Sequence, residues 1–113
     1  LVDPWPTERF DAVFSANTAH IMSESAVAAM FSCVGEVLRT NGPFMLYGPF
    51  NYDGRFTSES NARFDGWLRQ HDPQMGIRDL AWLRELSDQV GLELDEDLEM
   101  PVNNRFLVWR KQG

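Results

Sequence analysis

The segment Val37–Phe50, VLRTNGPFMLYGPF, decides how the rest of the chain is read. It starts as the tail of a helical pattern, breaks at Asn41-Gly42-Pro43, and resumes as the apolar run Phe44, Met45, Leu46, Tyr47. Asparagine and glycine tolerate the positive φ that closes a helix, and the proline behind them cannot extend it. A helix stop followed at once by a short apolar run marks a helix feeding a buried strand. Backward from this junction, Val27, Met30, Phe31, Val34, Val37 and Leu38 recur at the spacing of one helical stripe. Ser23 stands where an N-cap is needed, and Glu24 follows in the first turn, where the helix dipole favours a carboxylate.

Upstream of that helix, RFDAVFSAN carries Phe10, Ala12, Val13, Phe14 and Ala16 in a nearly continuous apolar run, as expected of a strand buried on both faces. Pro4 and Pro6 mark an irregular lead-in. Strand, helix and strand within roughly forty residues form a βαβ unit, with parallel strands and a right-handed crossover.

Downstream, TSESNARFDGWLRQH reads as a helix capped by Thr57 or Ser58, with Phe64, Trp67 and Leu68 on one face. Gly66 costs it about 1 kcal/mol of helix propensity. After the break DPQMG, Asp79 caps a helix whose Leu80, Leu83, Leu86 and Val90 face inward and whose Gly91 closes it. Leu92, Leu94, Leu98 and Met100 then alternate with mostly acidic residues, the pattern of a strand with one wet face. MPVNNR makes a turn, Asn103-Asn104 tolerating positive φ, and Phe106–Trp109 form a last strand. The expected fold is α/β: two parallel strands, a C-terminal antiparallel hairpin, and helices packed on the sheet.

Composition narrows the functional classes. With 113 residues the chain has room for a single domain, 1–113, and its 43% hydrophobic content is that of a globular protein. A net charge of −7, with only 10 lysines and arginines, opposes nucleic-acid binding, although Arg105, Arg110 and Lys111 gather near the end. No run of about twenty apolar residues can span a membrane, and no signal-peptide pattern stands at the start. Together with the lone Cys33, read as a small hydrophobe in a reducing compartment, this points to a cytoplasmic protein. Two distant histidines and one cysteine offer no metal-ligand spacing.

FDAVFSANTAHIM, VLRTNGPFMLYGPF and the closing strand pair together resemble the C-terminal half of a class I S-adenosylmethionine-dependent methyltransferase, a partial Rossmann-like fold. More narrowly, YGPFNYDGRFTSESNARFD, GIRDL and MPVNNRFLVWR are similar to a methyltransferase-like family of unknown function. The resemblance implies that the last strand lies antiparallel between its two neighbours. It implies S-adenosylmethionine as cofactor of the parent family, with Ala16 and Asn17 flanking its methionine part. His20 becomes a base or a substrate contact, its ordinary pKa suited to proton removal near neutrality. The stretch 47–78 becomes an insert on the substrate side, with Tyr47, Phe50, Asn51, Tyr52 and Phe56 as walls for a small-molecule substrate.

The glycine-rich G-x-G turn of such cofactor sites has no counterpart here, because the eight glycines are scattered. The chain therefore reads as a truncated or partial methyltransferase-like protein that does not bind the cofactor tightly by itself. The other reading is a non-catalytic, self-associating α/β module, since the strand over 10–16 becomes an apolar sheet edge. A homodimer through that edge, or through the adjoining apolar face, is the expected consequence. Arg55, Arg63, Arg69 and Arg78 are expected to form surface ion pairs with Glu59, Asp65, Asp72 and Asp79. Ser58, His20 and Asp65 supply the residue types of a hydrolase triad, but without a G-x-S-x-G elbow.

Overall fold

A computed structural model describes residues 9–113, so the lead-in expected around Pro4 and Pro6 lies outside the described residues. Strand β1 (Val13–Ala16), helix α1 (Glu24–Val37) and strand β2 (Pro43–Gly48) form the expected βαβ unit, with β1 and β2 parallel. Strands β3 (Phe50–Asn51) and β4 (Arg78–Asp79) make a small parallel pair on either side of helix α2 (Glu59–His71). Helix α3 (Leu80–Gln89) leads into the hairpin of β5 (Leu92–Met100) and β6 (Asn104–Lys111). The main sheet has the order β1-β2-β6-β5, so the last strand inserts antiparallel between its neighbours. Val102 and Asn103, at φ of 62° and 61°, form the tight turn that permits this return.

The core lies on one face of the sheet. Val27, Met30, Phe31, Val34 and Leu38 of the α1 stripe meet Phe44, Leu46, Leu107 and Trp109, with Leu80 and Leu83 joining from α3. Phe31 stands edge-on to both Phe44 and Trp109, at 5.4 and 5.2 Å between ring centroids, a geometry that aligns ring edges with π faces. Gly35 is where α1 and α3 touch, since a Cβ there would lie 2.8 Å from the backbone oxygen of Val90. The alternate residues point to the other face, where Phe14 stacks on Phe106 at 6.3 Å and remains 57% exposed.

The structure departs from the sequence reading in four places. Strand β1 is short and is not buried on both faces, because α1 and α3 both pack on the side away from Phe14. Helix α1 stops at Val37, earlier than the Asn-Gly-Pro signal. Leu38 turns extended to bridge Phe10, with Phe10 N–H donating to Val37 O at 2.7 Å. In β5 a bulge between Leu94 and Glu96 switches the alternation: Leu92 is buried, whereas Leu98 pairs with Phe106 and is exposed. The same switch turns Asp97 inward, where it pairs with Arg105 at 2.9 Å. Arg110 pairs with Asp95 at 3.1 Å, so two members of the C-terminal basic cluster are matched by acids of the neighbouring strand.

Helix α2 is the fourth departure. Ser58 caps it, accepting from Asn61 N–H at 3.0 Å, but Asn61, Asp65 and Leu68 form its buried face. Phe64 and Trp67 stack on each other on the outside, with Trp67 52% exposed. The polar residues turn inward because neighbouring backbone needs them. Asp65 accepts the Ile77 N–H at 2.8 Å, and Asn61 donates to Asn103 O at 3.3 Å.

The α1–α3 contact yields a direct test. Gly35→Ala is expected to destabilise the protein by about 1–3 kcal/mol, because the methyl group must push α3 away at its backbone. Urea unfolding measures the loss.

Candidate functional site

The carboxyl ends of β1 and β2 separate at a rim, the part of an open α/β sheet where ligands bind. The last ladder bond runs from Asn17 N–H to Tyr47 O at 2.8 Å. Asn17 then takes φ 57° and turns the chain off the sheet. Thr18 O accepts from both Ile21 and Met22 N–H at 3.1 Å, and the Ser15 and Thr18 hydroxyls are bonded at 2.6 Å. This tight turn carries His20 at its tip.

On the β2 side the chain leaves through Gly48, at φ 156°, a region that residues with a side chain rarely enter. A Cβ built there would lie 3.9 Å from each of Asn17 Oδ1, His20 Nδ1 and Phe50 Cε2. The missing side chain thus leaves a space bordered by an amide oxygen, an imidazole nitrogen and an aromatic edge. His20 is only 7% exposed and meets Phe64 of α2 edge-on at 5.4 Å. Burial, reinforced by the Arg78 cation, lowers its pKa from the ordinary value. The imidazole is therefore neutral around pH 7 and able to accept a proton.

The sequence-derived site residues separate into two groups. Ala16, Asn17, His20 and Tyr47 come together at the rim, and Asn104 Nδ2 donates to the Tyr47 hydroxyl at 3.3 Å. Phe50, 1% exposed, is part of the core, and its ring edge borders the Gly48 space. Asn51 donates to Ile77 O at 3.3 Å, while its Oδ1 is buried without a hydrogen-bond partner among the described residues.

Tyr52 is directed away, its hydroxyl donating to Asp97 at 2.7 Å with the Arg105 guanidinium over its ring. Burial first, and then Asp97, hold that phenol protonated well above its usual range. Phe56 is exposed beyond the tight turn Tyr52–Arg55, in which Asp53 and Gly54 adopt positive φ. Ser58 and Asp65 are committed to capping and to Ile77, so no triad assembles with His20.

Sequence reasoning missed Arg78. Arg63 and Arg69 make the expected pairs with Glu59 and Asp65, at 4.0 and 2.9 Å. Arg78 instead is 5% exposed and bonds to backbone carbonyls around His20. Its sequence neighbours, GIRDL, contain no charge pattern that separates it from a surface arginine. Among the described residues, no helix is long and apolar enough to cross a membrane.

The sheet order and the rim define a methyltransferase-like α/β fold, and solved structures agree with it. An O-methyltransferase family 2 protein from Planctomyces limnophilus, in complex with apigenin, superposes with a TM-score of 0.84 at 14% identity, over 97% of this chain and 32% of that one. Human N-acetylserotonin methyltransferase, in complex with SAM, gives 0.78 at 13% identity over 98% and 31%. An O-methyltransferase family protein from Burkholderia thailandensis gives 0.79 at 12% identity over 94% and 31%. The chain thus spans about a third of the length of these structures. Residues 2–111 match the profile of a protein family of unknown function, DUF938, and the chain belongs to that family.

The lowered His20 pKa has a consequence for stability. Between the folded value and the ordinary 6.5, the unfolded chain binds more protons than the folded one. Stability contributed by the neutral imidazole is therefore lost as pH falls below about 6.5. His20→Gln is expected to flatten this dependence, measured as a smaller drop in unfolding free energy between about pH 7.5 and about pH 5 than in the native protein.

Proposed function

We propose that this chain is the substrate-side portion of an S-adenosylmethionine-dependent methyltransferase domain, and that alone it does not hold the cofactor tightly. The observation that carries this reading is the convergence of Asn17 Oδ1, His20 Nδ1 and Phe50 around Gly48 at the carboxyl rim of β1 and β2. Ala16 and Asn17 fit the methionine end of the cofactor, offering an amide and a turned backbone at the strand end. The G-x-G turn that approaches the rest of such a ligand has no counterpart in the 113 residues.

When bound, the cofactor supplies an electrophilic methyl group on a sulfonium. The acceptor must meet that methyl in line, so placement contributes more than acid–base chemistry. The Gly48 space beside His20 is suited to placing the acceptor. Likeness to O-methyltransferases favours a hydroxyl as the acceptor group. The neutral His20 imidazole then takes its proton as nucleophilicity develops.

Calorimetric titration with S-adenosylhomocysteine tests the division of labour. A Kd weaker than ~100 μM is expected for the chain alone. Micromolar binding would overturn it, since the cofactor half would then be present in these residues.

A second reading, self-association through β1, is favoured by the contrast between the two edges of the sheet. Strand β5 is guarded by Glu93, Asp95, Glu96, Asp97 and Glu99 and by its bulge. Strand β1, VFSA, is uncharged, and Phe14 is largely exposed beside it. Antiparallel pairing of two β1 strands across a two-fold axis would cover both features. Sedimentation at tens of micromolar is expected to show a dimer that Phe14→Glu dissociates, and a native protein that runs as a monomer would sink the idea.

A further inference from the structure

Arg78 is a buried cation whose donors go to main-chain oxygens. Its Nε donates to Ala19 O at 3.3 Å, and one terminal nitrogen donates to Met22 O and to Gln74 O, both at 2.6 Å. Glu24, largely exposed, is its nearest carboxylate at 3.9 Å. Ala19 and Met22 flank His20 in the rim turn, and Gln74 belongs to the separate segment that follows α2. A further bond joins the same two segments, from Gly76 N–H to His20 O at 2.9 Å. Asp65 of α2 completes the chain of contacts by accepting Ile77 N–H at 2.8 Å while pairing with Arg69 at 2.9 Å.

A planar guanidinium presents donors in a fixed fork, so bonds to two carbonyls of one turn set both its position and its tilt. A lysine ammonium is a single point of charge and cannot do this. We propose that Arg78 is a positioning residue: by gripping the carbonyls on either side of His20, it fixes the imidazole beside the Gly48 space, and the α2 insert exists partly to hold that grip. The functional meaning rests on the methyltransferase reading, but the grip itself does not.

The charged groups around Arg78 are Glu24 from α1, together with Asp65 and Arg69 from α2, and Arg78 is the charge acting on His20. The test is nuclear magnetic resonance of the whole chain, without cofactor. In the native protein the Arg78 Nε proton is expected to exchange at least ~10-fold more slowly than that of the exposed Arg63. Equal rates would overturn the proposal, and this arm needs no variant.

In Arg78→Lys, amide exchange at Ile21 and Met22 is expected to rise at least ~10-fold while α1 and β2 stay protected. In Arg78→Met, the His20 titration is expected to move up toward its ordinary value. A folded Arg78→Lys protein with unaltered Ile21 and Met22 exchange and unaltered His20 resonances would overturn the proposal. The cofactor titration reads only how the cofactor site is divided, and either of its outcomes leaves these signals intact.

Discussion

The rim depends on the two-sided pairing of β2. This strand accepts β1 in parallel on one edge and β6 antiparallel on the other, so both rows of its backbone groups are satisfied. Such a strand cannot slide in register without breaking two ladders at once. Phe44 and Leu46 are therefore held on the helix-covered face and Tyr47 on the other, and the strand ends at Gly48. The rim turn is built outward from that end, beginning with the bond between Asn17 and Tyr47.

Much of this was legible in the residues. The α1 stripe from Val27 to Leu38, the β2 run and the β6 run have periods that report burial directly. The expected insertion of the last strand between β2 and β5 came from resemblance to methyltransferases, and the sheet order bears it out. Ala16, Asn17, His20 and Tyr47 were singled out because residues at and just past the carboxyl ends of parallel strands share one rim of the sheet.

Other features were not legible, for physical reasons. The bulge at Leu94/Glu96 adds one residue and reverses the sides of Asp97 and Leu98, and no composition rule locates such an insertion. Phe64 and Trp67 were assigned to the inner face of α2 because hydrophobicity usually decides orientation. Here Asn61 and Asp65 win, since the Asn103 carbonyl and the buried Ile77 amide take side-chain partners from α2. The α2 segment thus presents an aromatic outer surface, while Phe50 joins the core and Tyr52 turns to Asp97.

By itself, the sequence determined the order of elements, the helix stripe, the caps at Ser23 and Asp79, and the class of fold. These follow from local periodicity and backbone preference, which act over a few residues. Tertiary structure alone decided that His20 is buried and neutral, that Gly48 opens a space beside it, and that Arg78 holds its turn. Arg78 lies 56 and 59 positions from the carbonyls it binds at Met22 and Ala19. Contacts of that separation depend on how the sheet brings distant segments together, and no local pattern encodes them.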